Sequence, residues 1–109
     1  MASPVGTWDI NANGFPGTLS IQQIDGAGNL GGSTVFGEQI IGLWDDTSQK
    51  LTFMRVSNPA DPSTNQIYTG YLMEPQGNQP MALAGSFEAF QGSGGAATRS
   101  IFGWFATLR

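Results

Sequence analysis

The side chains able to do chemistry in this chain are few: eight carboxylates and four cations, with neither histidine nor cysteine. Without histidine there is no common general base, no Ser-His arrangement and no imidazole metal ligand. Without cysteine there are no disulfides, thiolate nucleophiles or sulfur metal sites, and the redox compartment stays undetermined. Asp45 and Asp46 are adjacent. Neighbouring strand residues point opposite ways, so these two do not form the facing carboxylate pair that glycoside hydrolysis needs. The Asp-x-Asp clustering of calcium loops is missing as well, and turn chemistry explains Asp45, Asp46 and Asp61 better. Arg55 is the most informative cation because it alternates in step with Leu51 and Phe53. It has three placements: inside a sheet against Glu38 or Glu88, on an anionic ligand, or at an open end in solvent. No catalytic residue, metal site or cofactor is assigned, and the chain reads as non-enzymatic.

Charge narrows the partners. The net charge is −4 with a pI near 4.2. Lys50, Arg55, Arg99 and Arg109 are too few to track phosphates or adsorb to anionic lipid, which excludes nucleic acid and membrane as expected partners. No apolar run approaches the roughly 20 residues of a spanning helix. Residues 1–23 contain no basic-then-apolar leader, so a soluble chain without a signal peptide is expected, its compartment unknown.

Positioning such residues requires elements, and the elements are strands. Sixteen glycines and six prolines are scattered through 109 residues with no run of helix formers, which suits one β-rich domain over residues 1–109. Period-two alternation and turn signals mark strands at about 5–12, 16–23, 30–36, 39–45, 50–56, 65–74, 81–90 and 98–108. The connections are short except 57–64, which holds two prolines with Asn58 and Asp61 and is expected to be mobile. Gly42, Gly70, Gly85 and Gly103 each sit mid-strand beside large apolar groups. Glycine in a strand is useful where a sheet bends sharply, as at the corners of a small barrel. The fold class expected is therefore all-β: an eight-stranded antiparallel up-and-down barrel, since closure removes exposed edges. Bulges in an open sandwich are the other way to use these glycines.

Gly6-Thr7-Trp8, then Gly17 to Ile21, Gly26 to Gly32 and Ile41-Gly42-Leu43-Trp44-Asp45, resemble in order and spacing the opening half of the avidin and streptavidin family. Tyr68-Thr69-Gly70-Tyr71 and Ile101-Phe102-Gly103-Trp104 are similar to its sixth and eighth strands, so the resemblance covers nearly the whole chain. It implies an avidin-like barrel. The positions that the family uses for biotin are mostly changed: Ile10 stands for an Asn, Gly14 for a Ser, Thr34 and Phe36 for a Tyr and a Ser, and Phe105 for an Asp. Arg55, Tyr68 and Phe87 replace tryptophans. A site built to hydrogen-bond a buried polar ligand loses affinity steeply as partners disappear, so high-affinity biotin binding is not expected.

Trp44, Phe53, Arg55, Tyr68, Phe87 and Phe105 are the candidate ligand-binding residues, lining one mouth of the barrel. An eight-stranded barrel holds either side chains or one small ligand, and the phenylalanines point to a filled or narrowed interior. The later strands carry apolar groups on both faces, and a barrel has one inside. Ile41, Leu43, Tyr71, Leu72, Phe102 and Trp104 are accordingly the expected homo-oligomer interface, as dimer or tetramer. The function expected is a non-enzymatic, avidin-like binding or scaffold protein that self-associates through its late strands. The alternative is a small-barrel inhibitor or protein-interaction module using loop 57–64.

Overall fold

The computed structural model describes residues 3–61, 64–75, 77–89 and 100–109. Its strands, in chain order, are β1 (Gly6–Ala12), β2 (Phe15–Ile21), β3 (Gln23–Ile24), β4 (Leu30–Gly31), β5 (Thr34–Val35), β6 (Glu38–Asp45), β7 (Lys50–Arg55), β8 (Gln66–Met73), β9 (Ala82–Ala89) and β10 (Ser100–Leu108). Eight of them close into an antiparallel barrel in the order β1-β10-β9-β8-β7-β6-β5-β2, and β3 pairs β4 in a separate ribbon. The fold is thus the all-β up-and-down barrel that the alternation implies. The described residues contain no helix long and apolar enough to cross a membrane.

Two tight turns set the register at one end, called here the upper end. Asn13 and Gly14 take φ of 51° and 90°, so that Ala12 pairs Phe15. Both central residues of such a turn need positive φ, which Asn-Gly tolerates best. Phe36 and Gly37 (φ 52° and 76°) reverse the chain between β5 and β6 in the same way. The loop after β7 lies at this end too.

The third expected strand, 30–36, is divided. Gly32 lies at φ 62°, and Ser33 beside it is buried. The Ser33 hydroxyl accepts the Gln22 N–H at 3.0 Å and its carbonyl accepts the Ile40 N–H at 3.2 Å. Two successive glycines offer no side chains to hold an extended path, and the left-handed residue bends it. The wall therefore keeps only the short β5, while β3 and β4 peel away as a ribbon. The Trp44 N–H ties that ribbon back to β6 by donating to the Gly28 carbonyl at 2.7 Å.

Alternation places Trp8, Ile10, Leu19, Leu51, Phe53, Tyr68, Leu83, Phe87, Trp104 and Ala106 inside. Gly42, Gly70 and Gly85 let this wall curve. A Cβ at Gly85 would fall on the Thr69 carbonyl, one at Gly42 on the Thr52 carbonyl, and one at Gly70 in the Trp104 indole. Gly103 does not share that role, since the nearest atom to its Cβ position is 4.0 Å away. Over these glycines the interior fills with rings. Phe53 stacks on Tyr68 at 4.7 Å, Tyr68 on Phe87 at 4.6 Å, and Phe87 meets Phe102 at 5.2 Å. Trp104 stands edge-on to Phe53 and Tyr68, and its N–H donates to the carbonyls of Thr69 (3.1 Å) and Ser86 (3.2 Å).

Candidate functional site

At the upper end the inward positions turn polar. Arg55, the last residue of β7, donates from Nε to Glu38 Oε1 at 2.7 Å and pairs with the same oxygen through Nη2. Its Nη1 donates to Gln66 Oε1 at 3.2 Å, and that oxygen also accepts the Tyr68 hydroxyl at 2.9 Å. The guanidinium lies 4.9 Å from the centre of the Phe36 ring, which rests against the bare face of Gly17. Of the two carboxylates weighed for Arg55, Glu38 is the partner, because β6 and β7 pair side by side at this level. Burial raises the Tyr68 pKa, and the Arg55 contact opposes the rise. The group closes the aromatic stack with satisfied polar atoms.

At the other end a cleft of about 580 Å³ opens between the ribbon and β6. Ile24, Leu43 and Trp44 line it together with Asp25, Asp45 and Asp46. These carboxylates serve the turns. Asp25 bonds the Asn29 amide and the backbone N–H groups of Ala27 and Asn29, and its pKa is lowered first by the Asn29 side chain. The Asp45 pKa is lowered first by the Ser48 side chain and then by backbone N–H groups. Asp46 accepts the Trp44 indole N–H at 3.3 Å. No group of three or more potential metal ligands occurs among the described residues.

The third region is the outer wall of β6 to β10. Register aligns outward side chains in rows: Ile41, Met54, Ile67, Glu88 and Ile101, then Leu43, Thr52, Thr69, Ser86 and Gly103, then Asp45, Lys50, Tyr71, Ala84 and Phe105. Ile41, Leu43, Tyr71, Met73, Ile101 and Phe105 are large apolar groups left exposed. Lys50 lies 5.8 Å from the Tyr71 ring centre.

The expected site residues divide between these regions. Trp44, Phe53, Tyr68 and Phe87 point inward but are buried against one another, and Arg55 is held by Glu38 and Gln66. Phe105 is a correction: it was expected to line the mouth and faces outward, because its strand neighbours Trp104 and Ala106 occupy the inward phase. Three expected interface residues are corrections of the opposite kind. Leu72 and Trp104 are buried, and Phe102 packs against the core, so none of them reaches the outer surface. Ile41, Leu43 and Tyr71 do face outward. Met73 and Ile101 join them and were missed, although counting every second residue from Tyr71 and from Phe105 finds both. Loop 57–64 closes on itself through Asp61 N–H to Asn58 carbonyl at 3.0 Å and Thr64 N–H to Asp61 carbonyl at 3.2 Å, with residues 62 and 63 outside the described set. Arg99, Phe90 and the glycine-rich connection 91–95 also lie outside it. Comparison of the chain with protein-family models, curated proteins and solved structures finds no match.

Proposed function

We propose that this barrel is a non-enzymatic, avidin-like scaffold that self-associates through the outer wall of β6 to β10 and is not a high-affinity biotin binder. The observation that carries the reading is the set of exposed apolar side chains on that wall, with Ile101 at 68% and Phe105 at 54% exposure. Large apolar side chains left exposed in such number mark interaction sites. β6 and β10 stand four places apart in the closed ring of eight strands, so this wall wraps about half of the barrel. A second copy is the occupant that fits best, because the first three rows hold only Lys50, Asp45 and Glu88 as charged groups, a near-balanced set that two copies bring together without strong repulsion.

The interior supports the rest of the reading. Stacked rings occupy the space where a ligand would enter, and the polar groups at the upper end already satisfy one another. Up-and-down closure supports the avidin resemblance. Small-angle scattering is expected to give a mass above the 11.5 kDa of one chain. Calorimetric titration with biotin is expected to show no heat of binding at micromolar concentration, and saturable micromolar binding would overturn the filled-barrel part.

A further inference from the structure

Of the six asparagines in the chain, Asn13 alone is followed by glycine. Asn13 and Gly14 form the exposed turn between β1 and β2 at the upper end, both at positive φ. The Asn13 side chain makes no hydrogen bond among the described residues, whereas that of Asn29 donates to Asp25 and that of Asn65 to Met54. Among the described residues, no atom beyond the chain neighbours lies within 4 Å of the position a Cβ would take on Gly14. That flank of the Gly14 nitrogen is therefore open. Two hydrogen bonds hold the turn in place. The Asn13 N–H donates to the Gly103 carbonyl at 2.9 Å, and the Gly14 N–H donates to Oδ1 of Asn11 at 2.9 Å.

We infer that Asn13 is a site of spontaneous deamidation and that the Asn11 side chain restrains it. Hydroxide takes the proton from the Gly14 nitrogen, which then attacks Cγ of Asn13. A bond forms between that nitrogen and Cγ, the bond from Cγ to Nδ2 breaks, and Nδ2 takes up a proton and leaves as ammonia. Water opens the resulting succinimide at either carbonyl, giving aspartate or isoaspartate, and nothing is oxidised or reduced. Glycine favours the attack because it has no side chain to crowd the ring. The Asn11 carbonyl oxygen opposes it, since the proton that must be removed is the one it accepts. One net hydrogen bond corresponds to roughly a fivefold change in the population of free N–H. Isoaspartate lengthens the main chain by a methylene between Ala12 and Phe15, the pair that closes the turn. Aspartate leaves the backbone intact and adds a negative charge.

The test is a time course of the folded chain in mildly alkaline buffer, with conversion of each asparagine to acid measured by peptide mass spectrometry. The native chain is run beside Asn11→Ala and Asn11→Asp. In the native chain Asn13 is expected to react ahead of Asn78, which is also exposed but is followed by Gln79. Asn11→Ala should speed the reaction at Asn13 roughly fivefold and leave Asn78 and the buried Asn65 at their native rates. Asn11→Asp keeps an acceptor for the Gly14 N–H and should return Asn13 to the native rate or below. A native chain in which Asn13 reacts no faster than Asn78 overturns the site. An unchanged Asn13 rate in Asn11→Ala, or an equal rise at Asn65 that reports loss of the fold, overturns the restraint by Asn11.

Discussion

Tyr68 and Tyr71 lie three residues apart on β8 and have opposite fates. Tyr68 is 1% exposed, stacked between Phe53 and Phe87, with its hydroxyl on Gln66. Tyr71 is 51% exposed, among Lys50, Ala84 and Phe105 on the outer wall. Nothing in residue type separates them. Position in the period-two phase does, and it divides the same five strands into an inside that holds the fold and an outside available for partners. Substitutions on the two sides should therefore separate into different readouts.

The largest effect belongs to the inward glycines. Gly85→Val drives a side chain into the Thr69 backbone, which cannot yield without opening the β8–β9 pair. A loss above about 4 kcal/mol is expected, enough to abolish the folded spectrum by circular dichroism. Next comes the paired test of the two faces. Phe53→Ala should lower stability by about 3–5 kcal/mol in urea unfolding, because it removes a fully buried ring that stacks on Tyr68 and meets Trp104 edge-on. Phe105→Ser should stay within about 0.5 kcal/mol when measured on dilute monomer. Equal losses at these two positions would break the division between inside and outside.

Arg55→Met is expected to be intermediate, about 1–3 kcal/mol, since it strands Glu38 and frees Gln66 in a partly buried place. Glu38→Gln in the same background should recover part of that loss in a double-mutant cycle. Within the same cluster a smaller effect is expected at the Tyr68 hydroxyl, which donates to Gln66. Burial raises its pKa above the ordinary tyrosine value, so its contribution is complete below about pH 10 and disappears as pH rises through the folded-state value. Tyr68→Phe should cost about 1 kcal/mol at neutral pH and flatten the alkaline limb of the stability profile.

Much of the barrel was legible because a strand buried on one face writes its phase directly: Leu51 and Phe53 against Thr52 and Met54 is unambiguous. Turn residues were equally readable at Asn13-Gly14. Legibility failed where both phases are apolar. On β10, Phe102, Trp104 and Phe105 are all large, and only the pairing with β9 and β1 decides that Phe105 is the outward one. Leu72 was misassigned for the same reason, lying next to Tyr71. The break between β4 and β5 depends on where the Ser33 hydroxyl and carbonyl find partners across the chain, on Gln22 and Ile40. Local pattern does not contain such contacts. The Arg55 cluster was half visible: Glu38 was a weighed partner, whereas Gln66 and Phe36 come to it through register and a tight turn.

The most direct test of the outer wall as an assembly face is sedimentation velocity on the native chain and on Tyr71→Ser/Phe105→Ser, run beside urea unfolding of dilute samples. A native species heavier than 11.5 kDa is expected. The double variant should run as a monomer with an unchanged unfolding midpoint. A native chain that sediments as a monomer at every concentration, or a double variant that assembles as before, would contradict it.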